Sequence, residues 1–243
     1  MAASKIEWTE ETWNPVTGCT KYSDGCLNCY AARFAKRLKN MGSDRYTNGF
    51  KLTLHKDIYD RPLHWSKPRM IFVNSMSDLF HEDIPDCEIF EIFDIMNRAS
   101  QHTFQVLTKR SERLTELSDH IKWTENIWMG VSIESEKYLQ RSDNLRRCGA
   151  KIKFISAEPL LGPLMNLDLT DIDWLIVGGE SGPKSRPMNE EWVLELRDMA
   201  KESDTAFFFK QWGGTQKKKN GSLLQGAYYK EYPIIDRHLA GNV

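Results

Sequence analysis

Residues 70–78 read Met70-Ile71-Phe72-Val73-Asn74-Ser75-Met76-Ser77-Asp78: an apolar run that breaks off into a polar one. The same unit recurs along the chain. Phe104-Gln105-Val106-Leu107 leads into Thr108-Lys109-Arg110, and Ile127-Trp128-Met129-Gly130-Val131 into Ser132-Ile133-Glu134. Ile152-Lys153-Phe154-Ile155 leads into Ser156-Ala157-Glu158-Pro159, and Trp174-Leu175-Ile176-Val177 into Gly178-Gly179-Glu180-Ser181-Gly182. Ala206-Phe207-Phe208-Phe209 leads into Lys210-Gln211-Trp212-Gly213-Gly214. These short, largely β-branched or aromatic runs are nearly continuous, as strands buried on both faces should be.

Helical patterns lie between the runs. Ile89, Phe90, Phe93 and Met96 share one face, as do Tyr138, Leu139, Ser142 and Leu145 behind a candidate cap at Ser135. Trp192, Val193, Leu196, Met199 and Ala200 form the clearest stripe, after Asn189. Strand starts about 20 to 35 residues apart give the rhythm of βα units, and so a parallel sheet. A further strand is expected around Thr12 to Val16, and the stretch from Pro159 to Asp171, with two prolines and a glycine, should lack a full helix. Strand count alone leaves an open doubly wound sheet possible. The preferred reading is an α/β fold, an incomplete TIM-like (β/α)6-7 barrel behind an N-terminal cysteine-rich loop. One domain is expected over 1–243: strand and cysteine loop in 1–30, barrel in 31–214, loop and tail in 215–243.

The chain of 243 residues has 40% apolar and 28% charged residues and a net charge of −1. No bulk positive field advertises nucleic acid, so any such contact should be a local patch. No apolar run reaches membrane-span length and the N-terminus has no signal-peptide core, so a cytoplasmic protein without membrane contact is expected. Thiols there stay reduced. Cys19, Cys26 and Cys29 stand together in GCTKYSDGCLNCY, while Cys87 and Cys148 lie in helical patterns and read as small buried hydrophobes. Three thiolates are one short of a closed zinc site. They suit an iron–sulfur cluster with one open iron. The alternative is zinc in a barrel that binds without catalysing, with His55 or His64 as fourth ligand, although neither has helpful spacing. Six successive strand ends carrying Asp, Lys, Glu, Glu, Glu and Lys point to one shared polar site at the carboxyl ends of the strands. Glu134, Glu158 and Glu180 also permit an acid–base hydrolase or transferase, but no nucleophile elbow or phosphate loop accompanies them.

Three cysteines after a first strand, Tyr30 directly behind them and a βα barrel beyond resemble the radical S-adenosylmethionine (SAM) superfamily. The usual spacing there is CxxxCxxC; here it is CxxxxxxCxxC. The ordered motifs IEWTEETWNPVTGC, GCLNCYA, FVNSMSDLFH, FQVLTKR, WMGVSIE, FISAEPLLGP, WLIVGGESG and FFFKQWG are similar to those of a phage and bacterial family of SAM-radical-like proteins. The resemblance implies a [4Fe–4S] cluster on Cys19, Cys26 and Cys29, with SAM chelated by the open iron and cleaved to a 5′-deoxyadenosyl radical. It places Tyr30 against adenine, the competing role being a core position with Phe34 and Leu38. It puts Ser75, Ser77, Asp78, Lys109, Ser132, Glu134 and Glu158 near SAM. Glu180, Arg186, Lys210, Gln211 and Trp212 fall on substrate-facing strands, with Glu180 and Lys210 as catalytic candidates. Trp212 either stacks on a base or seals the barrel. Some phage relatives are implicated in thymine hypermodification, which implies DNA bearing a glycine-modified thymine as substrate and isomerisation as reaction. A free nucleoside or other small molecule stays open. The resemblance also implies an electron donor of flavodoxin or ferredoxin type.

Overall fold

A computed structural model describes residues 6–234, so residues 1–5 and the last part of the expected tail, 235–243, lie outside the described residues. The strands are β1 (Glu11–Trp13), β2 (Val16–Thr17), β3 (Thr53–Leu54), β4 (Met70–Val73), β5 (Thr103–Thr108), β6 (Ile127–Ser132), β7 (Ile152–Ala157), β8 (Trp174–Gly178) and β9 (Ala206–Gln211). The helices are α1 (Tyr30–Asn40), α2 (Asp86–Arg98), α3 (Ser111–Ser118), α4 (Gln140–Arg146), α5 (Glu190–Glu202) and the short α6 (Lys217–Asn220). Among the described residues, seven strands form one parallel sheet in the order β1-β4-β5-β6-β7-β8-β9. Sheet order never reverses against chain order. A doubly wound sheet requires such a reversal, so this is the half-barrel, with β1 supplying the expected early strand. β2 and β3 pair antiparallel beside it.

Strands β4 to β9 bury side chains on both faces but divide them. Phe72, Trp128, Phe154, Trp174, Ile176 and Phe208 turn inward and pack with Trp8. Their neighbours Ile71, Val73, Val106, Met129, Ile155, Val177 and Phe209 face the helices, meeting Ile89, Phe93 and Met96 of α2 and Val193 and Leu196 of α5. Gly130 makes room for the inner layer: a Cβ there would sit 2.4 Å from the Phe154 ring. No helix forms over residues 159–173, where Leu160, Leu164, Leu167, Leu169 and Ile172 cover the sheet instead. Asn189 caps α5 by accepting from the Glu191 amide. Ser135 makes no such bond. A single 3-10 turn, Glu136–Tyr138, follows it and α4 starts only at Gln140.

Two expectations about burial fail. Cys148 is buried, but Cys87 is exposed, because Ile89, Phe93 and Met96 take the inner face of α2 and turn Cys87 outward. On α1 the small Ala31 and Ala35 face the barrel, leaving Tyr30 and Phe34 half-exposed rather than in the core. None of the described helices is long and apolar enough to cross a membrane.

Candidate active site

The inward alternation continues past the strand ends, where side chains turn from aromatic to polar. A cavity of about 520 Å³ opens there, a size typical of small-molecule sites. Trp8, Phe72 and Leu107 give it an apolar floor. Cys19, Cys26, Cys29 and Tyr30 line it, as do Lys109, Ser132, Ser156, Glu158, Glu180, Lys210 and Gln211 at the strand ends.

The cysteine loop is fastened at several points. Gly18 donates to the Met76 carbonyl at 3.0 Å, and the Ser77 hydroxyl donates to the Gly18 carbonyl at 2.6 Å. Only a glycine fits at residue 18: φ is +86° and a Cβ would lie 2.2 Å from the Lys51 carbonyl oxygen. Arg110 reaches Cys19 Sγ at 3.6 Å and donates to Thr20 Oγ1 at 2.9 Å. Burial, with Asp78 adding to it, pushes the Cys19 thiol up to about 12 against the opposing pull of Arg110. Asp78 organises this corner. Its carboxylate accepts from the Thr108 hydroxyl (2.6 Å), the Lys109 amide (3.0 Å), the Phe80 amide (3.1 Å) and Arg110 Nη1 (3.1 Å).

Two further carboxylates brace the loop. Glu134 is fully buried and accepts from the Ser23 hydroxyl at 2.5 Å and from Arg141 Nη1 at 2.8 Å, with Lys109 Nζ at 3.0 Å. Burial opposes its charge, yet Lys109, Arg141 and Ser23 hold its carboxyl below the ordinary range. Glu180 accepts from Arg186 Nη2 at 2.6 Å, from the Arg186 amide at 2.9 Å and from Asn28 Nδ2 at 3.0 Å. Burial opposes its charge too, but Arg186 and Asn28 hold its carboxyl low.

Glu158 and Lys210 are arranged otherwise. Lys210 Nζ donates to both Glu158 oxygens, at 2.7 and 2.8 Å, and Gln211 Nε2 donates to Oε1 at 3.2 Å. The lysine nitrogen stands 6.0 Å from the Trp8 ring centroid.

The sequence-predicted residues Cys19, Cys26, Cys29, Tyr30, Ser75, Ser77, Asp78, Lys109, Ser132, Glu158, Glu180, Lys210 and Gln211 come together around this cavity, whereas Glu134, Arg186 and Trp212 do not line it. Glu134 sits behind the cysteine loop, Arg186 is drawn onto Glu180, and Trp212 packs edge-on against Phe209 while its indole donates to the Leu223 carbonyl at 2.9 Å. Tyr30 turns its hydroxyl inward to the Ser75 carbonyl while the residue as a whole stays 52% exposed. Burial of that hydroxyl, with Cys29 and Glu158 nearby, raises its pKa. Sequence reasoning missed Trp8, Asn28, Arg110 and Asn74. Asn74 lines the cavity, is 3% exposed, and its Nδ2 has no hydrogen-bond partner. A buried donor left without a partner costs about 1–3 kcal/mol.

The donor set fits an iron–sulfur cluster. Among the described residues, no three or more Cys, His, Asp or Glu side chains converge on a single metal ion. The three cysteines all line the cavity, and a [4Fe–4S] cube takes each thiolate on a separate iron. Arg110 places a positive charge beside Cys19.

Comparison with solved structures identifies the fold. A double mutant of spore photoproduct lyase with bound AdoMet and dinucleoside spore photoproduct matches with TM-score 0.52 and 14% identity, covering 82% of this chain and 75% of that one. The seven-stranded parallel half-barrel of this chain thus shares the fold of that lyase. A single mutant of the same lyase has TM-score 0.49 and 14% identity, covering 83% of this chain and 64% of that one. No curated protein matches the sequence. The family described as "Protein of unknown function (DUF5131)" matches residues 3–233, and the chain belongs to that family.

Proposed function

We propose that this family member is a radical SAM enzyme acting on a base carried by DNA. The observation that carries the reading is the meeting of a three-cysteine loop and a ring of strand-end polar groups at one cavity. Cys19, Cys26 and Cys29 would hold a [4Fe–4S] cluster, leaving one iron for SAM. When reduced by a flavodoxin- or ferredoxin-type donor, the bound group supplies a 5′-deoxyadenosyl radical that removes a hydrogen atom from the substrate.

The chain's own residues prepare the place. Asp78, Glu134 and Glu180 fix the loop through Arg110, Ser23 and Asn28. Ser75 and Ser132, which line the cavity with Asn74, offer polar contacts to SAM. Tyr30 closes the cavity beside Cys29. Glu180, anchored by Arg186, stays anionic and acts by position. Lys210 and Glu158 are the pair able to hold or move a proton at the substrate. An aromatic floor at Trp8 and Phe72 below the Lys210 cation suits a flat, electron-rich base. The structural neighbour seen with a dinucleoside photoproduct favours the same substrate class. Within that class, a glycine-modified thymine rearranged from nitrogen- to carbon-linkage is the specific substrate and isomerisation we propose.

Anaerobic purification with iron and sulfide analysis, then dithionite and SAM, tests the chemistry. A brown protein that forms 5′-deoxyadenosine is expected. A colourless zinc protein, or a reduced cluster that never yields 5′-deoxyadenosine, would sink the reading. Mass spectrometry of nucleosides from treated phage DNA then tests the substrate: unchanged nucleosides in DNA carrying the glycine-modified thymine would remove it.

A further inference from the structure

Helix α1 leaves the cysteine loop with the sequence YAARFAKRLKN, which contains four cations and no acid. The chain as a whole has net charge −1, so this is a local concentration. Arg33, Lys36, Arg37 and Lys39 are all exposed, and none is in an ion pair among the described residues. Arg33 donates to the Ser181 and Pro183 carbonyls at 2.7 and 3.3 Å, and no carboxylate neutralises it.

Spacing sorts the exposed residues. Tyr30, Arg33, Phe34, Arg37 and Met41 recur at three- and four-residue intervals and so share one face. Tyr30 is 52%, Phe34 46% and Met41 68% exposed. The stripe begins inside the site already described, since Tyr30, Ala31 and Arg33 line the cavity, and runs outward about 16 Å along the helix. Aromatic rings left uncovered between cations suit an occupant that is both flat and negatively charged.

We infer that this stripe is the track for an unpaired stretch of DNA, which stacks bases on Tyr30 and Phe34, lays phosphates along Arg33, Lys36 and Arg37, and delivers one base into the cavity. The inference rests on the reading of the substrate as a DNA base. Arg33 and Arg37 stand one turn apart, on the order of 5–6 Å, so one strand can follow them. Base faces are available only where the strand is unstacked, which selects unpaired DNA over duplex. An acidic protein reductant would use the cations and leave the rings without a role.

Fluorescence anisotropy with a labelled single-stranded DNA oligonucleotide, its duplex and the matching RNA tests this on the cluster-loaded protein. The variants are Phe34→Ala and Lys36→Glu/Arg37→Glu, none of which lines the cavity. Single-stranded DNA should bind tightest. Phe34→Ala should weaken it roughly 5- to 100-fold. The double charge reversal should lower the slope of log affinity against log salt by about 0.7 per lost phosphate contact. Cleavage of SAM with dithionite should be unchanged in both. Unaltered single-strand affinity in both variants overturns the inference, as does tighter binding of duplex or RNA, or a defect confined to reduction by a flavodoxin. Failure of wild-type SAM cleavage would instead break the radical reading, and strand affinity would still judge the track.

Discussion

The ends of β6 and β7 lie side by side and carry the same pattern, Ser132-Ile133-Glu134 and Ser156-Ala157-Glu158, with Ser132 and Ser156 paired in register. Their glutamates have opposite fates. Glu134 is enclosed by Ser23, Lys109 and Arg141 and never reaches the cavity. Glu158 borders the cavity and shares its charge with Lys210. Position on the strand is common to both. What separates them is the partner each meets: the cysteine loop donates to Glu134 through Ser23, while Glu158 is taken by Lys210 and Gln211 of β9. The polar rim therefore combines struts that hold the loop with a pair free to meet substrate.

Several variants would break or sharpen that contrast. The largest effect is expected for Cys26→Ala, which should abolish the iron and sulfide content on which the loop's purpose depends. Glu134→Gln comes next. It leaves Lys109 and Arg141 short of a buried counter-charge, so urea unfolding should show a loss of about 3–5 kcal/mol, and cluster retention should fall. A stability change under about 1 kcal/mol would deny Glu134 its bracing role. Lys210→Met, by contrast, should leave 5′-deoxyadenosine formation intact while lowering substrate conversion by roughly 100-fold or more. If SAM cleavage fell equally, the two strand ends would not differ in function.

Acid separates the same groups more gently. Glu134 and Glu180 have carboxyls held below their ordinary value, about 4.3, by their cationic and amide partners. Their contribution is fully present above that value and is lost as pH falls through the lower folded values. Urea midpoints should be flat from neutral pH down to about 5 and then drop, and Glu134→Gln should shallow the drop. The smallest effect belongs to Cys87→Ala and Cys148→Ala, which should keep the full iron content. Iron loss equal to that of Cys26→Ala would refute the ligand assignment.

The sheet was legible because each apolar run is long enough to be a strand and its spacing leaves room for a helix. The missing helix after Pro159 was equally readable from its prolines. Direction was harder. Alternation places Lys109 on the inner face, but the backbone turns as β5 ends, and Arg110 swings to Cys19 and Asp78. Arg141 was invisible as a site residue because its partner, Glu134, lies one element earlier and meets it only when α4 folds back onto β6. Cys87 misled because a helical stripe can be read one position too wide. The unpartnered amide of Asn74 is a property of three-dimensional packing and leaves no mark in the sequence.

The stretch beside β9 has a wider consequence. Phe208 bridges antiparallel to Lys230, the Phe209 amide donates to the Tyr229 carbonyl, and Lys230 reaches Glu7 at 2.7 Å. A half-barrel, unlike a closed one, ends in strands whose free amides and carbonyls invite pairing with other chains. Here a charged, irregular segment occupies that position along β9. The molecule can thus keep an unclosed barrel without offering β9 as a template for edge-to-edge aggregation.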